Sequence, residues 1–192
     1  MPIGICLSLL TVLVVMARSQ TGKESKHKTP EQVKYQSEME HWRAARNELR
    51  TRARAALDAE RAREKAGDCP NADTTFAAEK CLNAEIDKTQ GNYAAFTSAL
   101  REMLGLARPL GPGEMPISGP TGMPLSAPER VAEFDRIENE WKRYRDLCTA
   151  AAYDEFKGGT EAPVFELEAQ QRLARLHLEE LSFIYDNELA NH

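Results

Sequence analysis

The residues best placed to do chemistry fall in two short runs. Trp141-Lys142-Arg143-Tyr144-Arg145-Asp146-Leu147-Cys148 puts an indole, a phenol, an Arg-Asp step and a thiol within about two helical turns. Lys157-Gly158-Gly159-Thr160 follows, joining an ammonium and a hydroxyl to two flexible glycines. The histidines, at positions 27, 41, 177 and 192, are scattered. No phosphate-cradling glycine loop, HExxH or clustered Cys/His spacing occurs. The sequence therefore predicts no catalytic residue, no metal and no cofactor. Acids near possible partners, such as Glu138 with Arg145 or Glu140 with Tyr144, read as solvated pairs on helix faces.

Spacing places the first run on a helix. Phe134, Ile137, Trp141, Tyr144, Cys148 and Ala151 follow a three-four rhythm, the seam of an amphipathic helix entered through Ser126 or Ala127 and Pro128. Trp141, Tyr144 and Cys148 are thus expected to face the core, with Arg145 and Asp146 off its centre to fix neighbouring loops. Gly158 and Gly159 end this helix, and Thr160 or Ala162-Pro163 starts the last one. There Leu167, Ala174, Leu178, Leu181 and Tyr185 form one stripe. Phe165, Ala169, Leu173, Leu176 and Ile184 widen it, which predicts a helix well buried all round.

Upstream, Ile3 to Met16 is an apolar run without a charge, right in length for a signal peptide over residues 1–17 and too short to span a bilayer comfortably. Residues 18–28 are polar and read as a disordered segment. Thr29-Pro30-Glu31-Gln32 reads as a helix start, and a helix over 29–67 would stop at Gly67. Tyr35, Met39, Trp42, Leu49, Ala53 and Ala56 form its thin stripe, interrupted by Arg46 and coated with arginines. Such a helix can bind nucleic acid or acidic membranes. Five acids interleaved between Glu40 and Glu64 favour a solvated face with local ion pairs.

A second helix is expected after a turn at 68–71, capped by Asp73 and bent or broken at Gly91. Residues 105–128 form a Pro/Gly-rich inter-helix loop, with a proline at every fourth position from Pro112 to Pro128. Charge is uneven along the chain: residues 18–66 hold 13 Lys/Arg against 8 Asp/Glu, and residues 129–192 hold 8 against 15. The acidic part should attract cationic surfaces and repel nucleic acid. With 7% aromatic and 29% charged residues, and Ala, Glu, Arg and Leu dominant, the fold class is all-α. A small antiparallel helical bundle follows, preceded by the long basic helix. Without Cys6 in the leader, three cysteines remain and three pairings are open. Cys81 would lie about 12 Å along its helix from Asp73, and the four residue steps from Cys69 to Asp73 can fold back about 13 Å, so a Cys69–Cys81 bridge is within reach.

Together these residues resemble the LprI-type lysozyme-inhibitor-like domain of bacterial envelope proteins. Its pattern sets two early cysteines about a dozen residues apart. A Trp-x-x-(Tyr/Phe)-Arg-Asp-x-x-Cys follows, then Gly-Gly-(Ser/Thr), a proline, a fourth cysteine and a helix bearing Arg and Leu. Here Cys69, Cys81, Trp141, Tyr144, Arg145, Asp146, Cys148, Gly158, Gly159, Thr160 and Pro163 fill that pattern, over residues 68–192. The fourth cysteine falls at Ala169, which leaves Cys148 a free thiol, and the Asp, Asn and Tyr common after the second cysteine fall near Gln90, Ala94 and Thr97. The resemblance implies a periplasmic or secreted inhibitor that binds a cationic lysozyme-type glycosidase without covalent chemistry. Lys157 to Thr160 would be the loop that offers donors to the enzyme's paired carboxylates. The competing reading is an envelope interaction module that makes contact through the helix of residues 29–67. Neither involves nucleic acid or stable membrane insertion after the leader is removed.

Overall fold

Helix ends are set where the sequence supplies caps. In a computed structural model describing residues 28–115 and 126–190, five helices form: α1 (Pro30–Ala66), α2 (Thr75–Gly105), α3 (Ala127–Glu155), α4 (Ala162–Ile184) and the single turn α5 (Asp186–Leu189). The leader at 1–17, the polar residues 18–27 and the proline-rich stretch 116–125 lie outside the described residues. At the start of α1 the Thr29 hydroxyl accepts the Gln32 amide at 3.3 Å, and the Gln32 side chain accepts the Thr29 amide at 2.9 Å. Pro30 follows the cap, where its missing N–H leaves no helical bond unmade. Gly67 ends the helix at φ +81°, a conformation that favours glycine. Ser126 opens α3 in the same manner, its amide and hydroxyl both donating to Glu129.

Two expectations about α2 are corrected. Thr74, not Asp73, is its cap, accepting the Ala77 amide at 3.1 Å. Gly91 lies within an unbroken helix. A lone glycine costs about 1 kcal/mol in a helix interior, and burial of Tyr93, Phe96, Leu100 and Met103 on the following turns outweighs it.

The fold is an all-α helical bundle, with no strand among the described residues. The α2 helix lies centrally, packed against α1, α3 and α4. Its Phe96 and Leu100 are fully enclosed, beside Phe134 of α3 and Leu178 and Leu181 of α4. The α1 helix adds Leu49, Ala53, Ala56 and Leu57 to the same cluster. Small alanines let α1 approach α2 closely, so this helix shares the core rather than standing apart as an arm. Its arginines make local pairs as expected, Arg61 with Asp58 and Arg63 with Glu60, and also reach across to other helices. Arg46 binds Glu188, Arg61 binds Glu179 and Arg63 binds Glu85, each on another helix. From the linker, residues 106–115 run back along the start of α1, where the Leu106 carbonyl accepts the Trp42 indole N–H at 3.5 Å.

On α4 the inner stripe is buried as expected, but Leu176 and Ile184 are more than half exposed and Phe183 is 83% exposed. The buried places beside Ala174 and Leu178 go instead to Gln171 and His177. A chain truncated before Asp68 loses four core side chains. It is expected to lose the cooperative thermal transition followed by far-UV circular dichroism, and a midpoint within about 5 °C of the intact chain's would contradict this.

Candidate functional site

Trp141 is the organising side chain of α3, and its indole packs against two rings that lie 6.2 Å from each other. The His177 ring lies parallel at 4.3 Å and Tyr93 at 4.9 Å, while the Arg145 guanidinium sits 5.2 Å from the indole centre. Arg145 is therefore part of the seam, and it bonds Asp146 at 2.7 and 2.9 Å. Tyr144, expected inside, is 57% exposed. Its phenol is raised above its ordinary value by a hydrogen bond with Cys148. Cys148 is a free thiol, half-buried rather than enclosed. The buried line on α3 runs Phe134, Glu138, Trp141, turned by one position from the apolar spacing, because two ionisable residues occupy seam positions.

Glu138 is the first of them. Its carboxylate accepts the Tyr93 hydroxyl through one oxygen and lies 2.9 Å from His177 Nε2 through the other. His177 Nδ1 in turn lies 3.0 Å from Glu180. Burial pushes the Tyr93 phenol strongly up, and the hydrogen bond and charge of Glu138 add to it, so Tyr93 stays protonated and donates. The helix-face pairs read from sequence are thereby revised: Glu138 is bound from α2 and α4, and Glu140 pairs with Arg143.

The second polar cluster joins α1, α2 and α4. Glu60, 2% exposed, receives Arg63, Thr89, Asn92 and Arg175, all at 2.8 Å. Arg175 turns its other nitrogens to Asp68, and Gln171 bridges Asp68 and Thr89. Arg63 also holds the Glu85 carboxylate and carbonyl, and Lys88 completes the set. Burial alone would raise the Glu60 carboxyl, but hydrogen bonds from Asn92, Arg175 and Thr89 and the charge of Arg63 hold it below its ordinary 4.5. Burial likewise lowers Arg175, and its bonds to Asp68 and Glu60 outweigh that. Every ionised group in the cluster has a partner, the condition for tolerating buried charge.

Asp68 leads directly into the Cys69–Cys81 disulfide, whose Cα atoms are 5.9 Å apart. Cys69 holds φ +52°, alone among the described non-glycine residues. Two open hollows flank this turn. One, of about 500 Å³, is walled by Arg63, Cys69, Cys81 and Lys88; the other, of about 510 Å³, by Glu64, Asp68, Glu168, Arg172 and Arg175.

The Lys157–Thr160 turn lies towards the same end of the bundle, since α4 runs antiparallel to α1, with Arg175 at Glu60 and Gln171 at Asp68. All four residues are exposed, with Gly158 at φ +95°. A Phe156–Phe165 stack at 3.6 Å clasps its base, and the Lys157 ammonium is 3.3 Å from Asp154. Glu155 and Glu161 flank it in sequence, both exposed and without an ion pair among the described residues. The motif residues therefore divide: Trp141 belongs to the interior with Arg145 half-buried at its edge, while the glycine turn is exposed. No group of three or more potential metal ligands occurs among the described residues.

No family model, curated protein or solved structure matches this chain. The family likeness rests on its own residues.

Sequence reasoning missed Glu60, Glu138, His177 and Arg175 as interior groups. The signal was available. Glu60 follows Ala53 and Ala56 at core spacing, Glu138 sits between Phe134 and Trp141, and His177 sits between Ala174 and Leu181. Because Glu60 is depressed in the fold, its contribution is full above pH 4.5 and is lost as pH falls through the folded value. Glu60→Gln should cost about 2–4 kcal/mol at pH 7 in urea unfolding, with the difference shrinking towards pH 3. A difference independent of pH would contradict this assignment.

Proposed function

We propose that this chain is an exported, non-catalytic protein that inhibits a cationic lysozyme-type glycan-cleaving enzyme by covering its cleft. The observation that carries the reading is the tip between α3 and α4. A narrow exposed turn with a hydroxyl and an ammonium lies between exposed acids, Asp154 and Glu155 before it and Glu161 after it. Such a surface attracts a cationic enzyme at long range and offers donors to catalytic carboxylates at contact. The titratable groups of the interior bind one another, which supports a scaffold role for them. The Cys69–Cys81 bridge supports an oxidising compartment, and no described helix is long and apolar enough to cross a membrane. The alternative, contact through α1, is weakened by its chemistry. Arg46 and Arg63 are largely enclosed in ion pairs to other helices, and Arg52 and Arg61, though about half exposed, are each paired with a carboxylate of this chain.

Titration of the purified protein against a panel of lysozymes tests this reading. Inhibition at micromolar concentration, weakening as salt rises, is expected for at least one enzyme. Lys157→Ala with Thr160→Ala should weaken it about tenfold or more without changing helix content. A folded protein that inhibits none of the panel at about 100 µM would refute the proposal, and unchanged inhibition by the double variant would move the site away from the turn.

A further inference from the structure

The α4 helix carries two apolar stripes on opposite sides. The inner one, Ala174, Leu178 and Leu181, closes the core. The outer one, Leu173, Leu176, Glu180 and Phe183, has the three-four-three spacing of a helix–helix seam. At 3.6 residues per turn, Leu176 and Phe183 stand roughly 140–160° around the axis from Leu178. Leu176 is 57% exposed, Ile184 51% and Phe183 83%. A surface helix normally places polar residues there, and one that is apolar on both sides is covered on both.

Neighbouring α3 enlarges the face. Asp135 and Glu138 point towards α2, binding Arg101 and Tyr93, so Tyr144 and Leu147 stand on the flank turned away from it. They are 57% and 72% exposed. These five side chains offer on the order of 600 Å² of apolar surface, against roughly 800 Å² per partner in a standard interface.

We propose that a second copy of this chain covers this face, α4 against α4, antiparallel about a two-fold axis between Leu176 and Glu180. In that arrangement Leu173 meets Phe183 of the second copy and Leu176 meets the methylene stem of Glu180, with the reverse by symmetry. Charge complementarity favours a second copy, because an exposed arginine and an exposed glutamate stand at separate places along the stripe. Arg172 has no ion pair among the described residues, and the Glu180 carboxylate is 62% exposed with His177 its only partner there. Antiparallel packing brings each Arg172 within one turn of Glu180 in the second copy.

Light scattering coupled to size-exclusion chromatography at about 100 µM decides the matter. The expected mass is twice that of the chain, which is 21.5 kDa as written. Leu176→Glu with Phe183→Glu should return the chain to monomer mass with unchanged far-UV circular dichroism. Leu176→Ser with Phe183→Ser gives the same readout if the acidic pair lowers helix content. Arg172→Glu should weaken association about tenfold. Monomer mass for the unaltered chain overturns the proposal, as does a dimer that survives either double substitution. A dimer indifferent to Arg172→Glu overturns the antiparallel register.

Discussion

The Glu60 carboxylate is the constraint on which most of the structure depends. A carboxylate removed from water is tolerated only when partners replace its hydration. Four donors do so, Arg63 from its own helix, Thr89 and Asn92 from α2, and Arg175 from α4. Apolar packing between alanines and leucines permits several registers of comparable energy, whereas sliding α1 by one turn along α2 would strip Glu60 of Thr89 and Asn92. Arg175 carries the constraint onward to Asp68, and so to the disulfide-bonded turn that follows.

A second buried carboxylate does the same for α3. Glu138 accepts the Tyr93 hydroxyl and lies against His177, with Trp141 stacked over both rings. Thr89, Asn92 and Tyr93 are near neighbours on α2, so one short segment fixes the register of every long helix. Between this polar layer and the linker end, Phe96, Leu100 and Met103 fill the interior without a polar atom to place. The polar chemistry is turned inward, and the Lys157–Thr160 turn and the outer stripe of α4 remain exposed.

Much of this was legible in the sequence. Thr29-Pro30-Glu31-Gln32 and Ser126 through Glu129 marked helix starts by cap chemistry, Gly67 marked a stop, and Cys69 and Cys81 were within bridging reach. Apolar spacing failed where a charged residue sat in the seam. Counting only apolar residues moved the α3 face by one position, admitting Tyr144 and omitting Glu138. On α4 it merged two opposite stripes into one broad face, which concealed that Leu176 and Ile184 point outward. The partners of Glu60 are spread over residues 63 to 175, and no local pattern records a pairing at that separation.

If Glu60 sets the register through Arg175, the two residues must act as one unit. A double-mutant cycle of Glu60→Met and Arg175→Met, read by urea unfolding at pH 7, tests this most directly. Each single substitution takes one charge-assisted partner from a largely buried ion and should cost about 3–5 kcal/mol. The double substitution should cost less than the sum by about 2 kcal/mol or more. Additive losses would show that the pair is incidental, and that apolar packing alone sets how α1, α2 and α4 align.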